Sequence, residues 1–178
     1  ILEMGKLCSK YPKKKFFIDE SYFGFGSSSF LSLTHRYKNI FVMRSITKTF
    51  GLASARIGFL ISNKDSIKSY KTLETPYPLS LFSGKCLNFF LKNRKLVSNY
   101  NFKVKAGRDF FCKELIKKGY HVHNSNGLSV FLYFKNKKEL INKHKLLEKK
   151  FIYTRSMKIN NKNFLRVTSG PIKTMKKI

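Results

Sequence analysis

The chain has 178 residues, with 37 Lys and Arg against 9 Asp and Glu, a formal net charge of +28 at pH 7. A composition of 42% hydrophobic and 15% aromatic residues excludes a disordered tail, and the length holds one medium domain or parts of two. Three separated cysteines (Cys8, Cys86, Cys112) exclude a disulfide scaffold, and His35, His121, His123 and His144 form no metal-ligand spacing, so no metal is expected.

No apolar run reaches the ~18–20 residues of a membrane span, and nothing reads as a signal peptide, which predicts a soluble, cytoplasmic protein in a reducing setting. Lysine supplies 30 of the 37 cations and arginine 7, scattered apart from short clusters such as Lys13-Lys14-Lys15 and Lys176-Lys177. A nucleic-acid binder concentrates arginine and aromatics along one face. The scatter predicts non-specific attraction to polyanions and no specific nucleic-acid partner.

The chain opens inside a helical pattern and closes at Pro171–Ile178 on what reads as the first turns of a helix, so a piece of a longer polypeptide is expected. Residues 15–19 (KFFID), 39–44 (NIFVMR) and 56–62 (RIGFLIS) are apolar runs suited to buried strands. A Gly/Ser-rich loop, residues 24–29, and a short helix at 30–37 separate the first two. SITKTFGLASA, between the second and third, is too short for a crossover helix. A helix is expected from Asn63-Lys64-Asp65, with Asp65 near its cap, to about Glu74, before Pro76 and Pro78 force an extended break.

Helical spacing returns at Leu79–Leu91 and Leu96–Leu115 and ends before Gly119. The Phe-rich stretch Phe82–Phe90 reads as core or subunit contact. His121–His123, Leu128–Phe134, 151–155 and 164–168 read as strands and 137–149 as a charged helix. Turns are marked by Asn124-Ser125-Asn126-Gly127 and Asn160-Asn161. The order predicts α/β for the first part of the chain and a smaller α+β unit from about residue 96.

The segment Ser45-Ile46-Thr47-Lys48-Thr49-Phe50-Gly51 follows an apolar strand, where α/β proteins place ligand sites, and Arg56 comes eight residues after the lysine. Hydroxyls, a lysine and an arginine together can hold a phosphate and leave one amine beside it, although the Walker spacing is missing. Asp19-Glu20-Ser21-Tyr22 follows another apolar strand; an Asp at a buried strand end needs a cationic partner or a polar ligand. A cofactor with a ring nitrogen, a phosphate and an aldehyde would use all of these groups, and pyridoxal 5′-phosphate (PLP) has all three.

Five stretches occur in order: Asp19-Glu20-Ser21-Tyr22, Ser45-x-Thr47-Lys48-x-Phe50-Gly51-Leu52-Ala53, Arg56-x-Gly58, Pro76-Tyr77-Pro78-Leu79-Ser80 and Leu165-Arg166-Val167-Thr168-x-Gly170. Together they resemble the fold-type I PLP-dependent aminotransferases of class I/II, most closely the histidinol-phosphate aminotransferase group, over roughly the C-terminal half of such an enzyme. The resemblance implies an α/β PLP-dependent transferase-like fold, with residues 1–95 as the C-terminal part of the large cofactor domain and 96–178 as the small α+β domain. It implies Lys48 as the Schiff-base lysine and proton shuttle, Asp19 as the partner of the pyridinium nitrogen, and Tyr22 as a donor to the cofactor's phenolic oxygen. Ser45, Thr47 and Arg56 would hold the cofactor phosphate. Arg166 would take the substrate's anionic end, and Arg155 a distal phosphate.

The same resemblance implies a homodimer that moves an amino group between an amino acid, with glutamate as donor, and an oxo-acid or oxo-phosphate acceptor such as imidazole-acetol phosphate. Ser21 departs from the family, where many relatives have Ala, and the upstream half with its ring-stacking aromatic and its Asn is not in the sequence. Two rivals stay open. A PLP-dependent decarboxylase similar to threonine-phosphate decarboxylase carries nearly the same motifs, and a non-catalytic basic module binding nucleic acid would explain the charge alone.

Overall fold

Ile40, Phe41 and Val42 are among the most deeply buried side chains of the chain, which is why their strand runs through the middle of a sheet. The computed structural model describes residues 1–123 and 125–178, so Asn124, the first residue of one predicted turn, lies outside the described residues. The chain divides into two compact units, Ile1–Ser98 and Asn99–Ile178.

In the first unit, α1 (Leu2–Lys10) precedes β1 (Phe16–Asp19), and β2 (Ile40–Ser45) pairs parallel with β1, Asp19 opposite Met43. The predicted helix at 30–37 is a short 3₁₀ turn, Leu31–His35. β2 runs straight into the single turn α2 (Ile46–Thr49), then a 3₁₀ turn at Ala53–Ala55 and β3 (Gly58–Ile61). That connection is too short to cross the sheet, so β3 returns antiparallel, with Ser45 opposite Gly58. The sheet order is β1-β2-β3.

Side chains alternate across this sheet. Phe16, Ile18 and Ile40 pack with Cys8 and Leu33 under α1 and the first 3₁₀ turn. On the other face Phe17 stacks on Phe41, with centroids 4.9 Å apart, and both rings meet Tyr70 of α3 (Lys64–Lys71). The cap of α3 is Asn63, whose side chain accepts from Asp65 N; Asp65 lies in the first turn, where its charge suits the helix dipole. Ser80 caps α4 (Leu81–Lys92). Within the expected core stretch Phe82 and Phe89 are exposed, while Phe90 packs on Phe50.

The second unit begins within α5 (Arg94–Lys117) and carries β4 (His121–His123), β5 (Ser129–Phe134), α6 (Lys137–Lys149), β6 (Arg155–Ile159), β7 (Lys162–Thr168) and α7 (Ile172–Met175). Its antiparallel sheet has the order β4-β5-β7-β6. Val130, Leu132, Phe134, Leu165 and Val167 alternate onto one face and join Phe111, Cys112, Leu140 and Met175 in one core. Gly107 lets α5 lie against the Gly170–Ile172 backbone: an added Cβ would stand 1.9 Å from the Gly170 carbonyl oxygen.

The expected strand at 151–155 is corrected to β6 at Arg155–Ile159. Phe151 (φ 59°) closes α6 instead: Phe151 N donates to the Glu148 carbonyl and Ile152 N to the Leu147 carbonyl, both at 2.9 Å. The backbone of 151–152 is therefore committed to ending a helix. Asn160 and Asn161, both at positive φ, form the tight turn that sets the β6–β7 register.

Candidate active site

Parallel pairing brings the C-terminal ends of β1 and β2 to one edge of the first unit's sheet. Asp19 ends β1, Ser45 ends β2, and Lys48 lies in the turn that follows. Asp19, Ser45, Thr47 and Lys48 thus gather at the carboxyl end of adjacent strands, the place where open α/β sheets bind ligands.

Ser45 caps α2. Its Oγ accepts from Thr47 N at 3.1 Å and lies 2.6 Å from Thr47 Oγ1 and 3.2 Å from the Ile57 carbonyl oxygen. Thr49 Oγ1 reaches back to the Ser45 carbonyl, and Ile46 N donates to the Ile57 carbonyl. The segment bearing Arg56 is therefore tied to the segment bearing Lys48. Arg56 itself has φ 49° and ψ 41°, a left-handed conformation unfavourable for a residue with a Cβ. Its neighbour Ala55 is fixed by Ser83 Oγ, which donates to the Ala55 carbonyl at 2.7 Å, and Ser80 Oγ lies 2.8 Å from Ser83 Oγ. The Pro76–Ser80 motif thus ends in a cap that helps to place Arg56.

Lys48 and Arg56 are exposed, and among the described residues neither has a carboxylate partner. Two cations and two hydroxyls without an acid among them suit an anion of phosphate type, with the lysine amine left for an aldehyde. Asp19, one strand over, is the acid that could meet a ring nitrogen. The donor set fits PLP.

Asp19 is not the buried strand-end acid expected from the sequence; its side chain is exposed, and its Oδ1 accepts from Ser21 N at 2.8 Å and from the Ser21 hydroxyl. The buried acid is its neighbour Glu20, 8% exposed, which pairs with Arg44. Strand alternation explains the swap: consecutive side chains point to opposite faces, and only one of the two can turn inward. Tyr22 stands in the turn after β1 at 40% exposure, beside Phe23, whose N donates to the Glu20 carbonyl. The motifs do not single out Glu20 and Arg44; the adjacent acids of Asp19-Glu20 and an arginine inside an apolar strand are the signal that points to them.

In the second unit Arg155 of β6 lies directly opposite Arg166 of β7, which lies opposite Phe131 of β5, which lies opposite His123 of β4. The four form one row on the face of the sheet away from its core. Like charges directly opposite are unfavourable, and among the described residues neither arginine has a carboxylate partner. Two cations side by side without an acid suit an anion. Beside the row, Tyr133 and Phe164 lie with ring centroids 5.7 Å apart and border a hollow of about 270 Å³ with His121 and Lys162.

Among the described residues no helix is long and apolar enough to cross a membrane. The sequence pattern of the class I and II aminotransferases matches residues 1–178. A histidinol-phosphate aminotransferase of Clostridium novyi is 32% identical over 155 residues, which is 86% of this chain and 43% of that protein. The crystal structure of the histidinol-phosphate aminotransferase from Clostridium acetobutylicum superposes with a TM-score of 0.84 at 25% identity, covering 99% of this chain and 55% of that one. The L-threonine-O-3-phosphate decarboxylase from Porphyromonas gingivalis shares the fold, with a TM-score of 0.80 at 21% identity over 98% of this chain and 56% of that one. The chain spans about half the length of the relatives it matches. With its mixed α/β units and fold-type I relatives, it belongs to the PLP-dependent class I and II aminotransferase family.

Proposed function

We propose that this chain supplies the cofactor lysine and the substrate arginines of a PLP-dependent aminotransferase that acts as a cytoplasmic homodimer. It would move an amino group from an amino acid, with glutamate as donor, to an oxo-acid or oxo-phosphate acceptor such as imidazole-acetol phosphate. The observation that carries the reading is that Asp19 and Lys48 both lie at the carboxyl ends of the parallel neighbours β1 and β2.

Lys48 would hold the cofactor's aldehyde through Nζ. Ser45, Thr47 and Arg56 would hold its phosphate, Arg56 by a charge-assisted fork. Asp19 would keep a proton on the ring nitrogen, and Tyr22 Oη would donate to the phenolic oxygen. When bound, PLP supplies the electron sink for a carbanion at the substrate's α-carbon. Lys48 Nζ, released when the substrate amine takes its place, would accept and return the α-carbon proton. Arg166 would hold the α-carboxylate and Arg155 a second anionic group one strand away, which favours a phosphorylated or dicarboxylic substrate.

Borohydride treatment of the PLP-loaded polypeptide containing these 178 residues, followed by peptide mapping, tests the reading. The label is expected on Lys48 and is lost, with amino transfer, in Lys48→Ala; labelling of a different lysine overturns it. Product analysis separates the decarboxylase reading, which requires carbon dioxide release instead of an oxo-acid product.

A further inference from the structure

Glu20 joins three segments at one buried point. Its backbone N donates to the Met43 carbonyl at 2.8 Å, which extends the β1–β2 pairing by one residue beyond Asp19. Its carboxylate accepts from Phe30 N at 2.6 Å, from Ser29 Oγ at 2.9 and 3.1 Å and from Arg44 Nε at 3.0 Å. Arg44 Nη2 in turn donates to Ser29 Oγ at 2.8 Å, and the guanidinium carbon stands 3.9 Å over the Phe23 ring. The Glu20 side chain is 6% exposed and that of Arg44 24%.

With the Glu20 carboxylate taken out of water, the pair loses part of its attraction to desolvation and is a weak source of stability by itself. What such a pair supplies is a fixed register. Glu20 follows Asp19, Arg44 precedes Ser45, and the Glu20–Phe23 turn that carries Tyr22 is closed by Phe23 N on one side and by Arg44 over the Phe23 ring on the other. Neither Asp19 nor Tyr22 is held by burial of its own.

We infer that Glu20 and Arg44 are positioning residues: the pairing of the buried carboxylate with the part-buried guanidinium sets where Asp19 and Tyr22 stand relative to Lys48. The inference rests on the proposed roles of those three groups. Displacement of a reacting or cofactor-holding group by even about 1 Å lowers rates or affinity by one to two orders of magnitude.

The test compares wild type with Glu20→Gln and with the double variant Glu20→Met, Arg44→Met, in the polypeptide containing this chain. Hydrogen exchange is read at the amides of Ser21, Tyr22 and Phe23 without cofactor, and PLP affinity and the pH midpoint of its visible band are read with it. In both variants those amides are expected to exchange about tenfold faster and PLP to bind about tenfold more weakly, with more of the thermal midpoint kept in Glu20→Gln, whose amide oxygen can still accept from Phe30 N, than in the double variant. Unchanged exchange and unchanged PLP binding in either folded variant overturn the inference. Loss of folding in both variants also overturns it, since the pair would then be a stability element. Wild-type labelling at a lysine other than Lys48 would sink the site reading instead, and the cofactor-free exchange result tells that failure apart from failure of the clamp.

Discussion

The two units keep their apolar surface in different ways. In the second, one sheet face and three helices share a single core, and the opposite face carries the arginine row. In the first, two small clusters centre on Ile40 and Ile57, with Phe25, Phe41 and Val42 buried outside both, while Phe17, Met43, Phe59, Leu60, Leu81, Phe82 and Phe89 stay exposed. The lesson is about where stability and chemistry are invested. The second unit has a core large enough to hold its strands by itself, whereas the first relies on capping side chains, hydroxyl bridges and the Glu20–Arg44 pair to fix its strand ends.

Substitution of one glycine in each unit breaks that contrast most sharply. In Gly107→Ala the new methyl would meet the Gly170 carbonyl at 1.9 Å and the Pro171 carbonyl carbon at 2.8 Å, both backbone atoms that cannot swing aside. A loss of about 3 kcal/mol or more is expected in denaturant unfolding of the second unit. Gly84, inside α4 of the first unit, has open space where a methyl would stand, with nothing within 4 Å, so Gly84→Ala should stabilise by about 0.5–1 kcal/mol. Equal effects at the two positions would mean that the α5 contact is slack.

A smaller effect separates the units by pH. Burial alone would raise the Asp109 carboxyl, but hydrogen bonds and charge from Lys105 and Arg108 outweigh it and hold the group below the usual carboxylate range. A depressed folded value means stability that is present above the unfolded value, about pH 3.9, and lost as pH falls through the folded one. Asp109→Asn should therefore flatten the acid limb of the second unit's unfolding curve and leave the first unit's unchanged. Calorimetry between about pH 2 and pH 5 reads this directly.

The apolar runs, the helical spacings and the order of the motifs made most elements legible beforehand, because periodicity depends on local sequence. What stayed hidden depended on partners distant in sequence. Asp19-Glu20 does not say which acid turns inward; Arg44, supplied by a parallel neighbour, decides it. Phe151-Ile152-Tyr153 has strand-forming side chains, yet its first amides are drawn into ending α6, which moves β6 to begin at Arg155. Only that shift, with the Asn160-Asn161 turn, brings Arg155 opposite Arg166. The two arginines could be picked out singly, but their pairing required the register.

One last pair of variants sharpens the comparison most finely, because among the described residues each unit holds one bulky residue in the left-handed region: Arg56 at φ 49° and Phe151 at φ 59°. Phe151 is largely exposed and occupies the position that glycine fills at the end of α5, where Gly119 has φ 82°. Its strain is a by-product of stopping a helix, so Phe151→Gly should raise stability by about 1 kcal/mol and leave PLP binding alone. Arg56→Gly should relieve a similar strain by about 1 kcal/mol, yet weaken PLP binding about tenfold or more through loss of the guanidinium. Thermal unfolding and PLP titration of the two variants side by side read both quantities. If Arg56→Gly binds PLP as well as Phe151→Gly does, the strain at Arg56 serves only the turn before β3, and the phosphate role falls to Ser45 and Thr47.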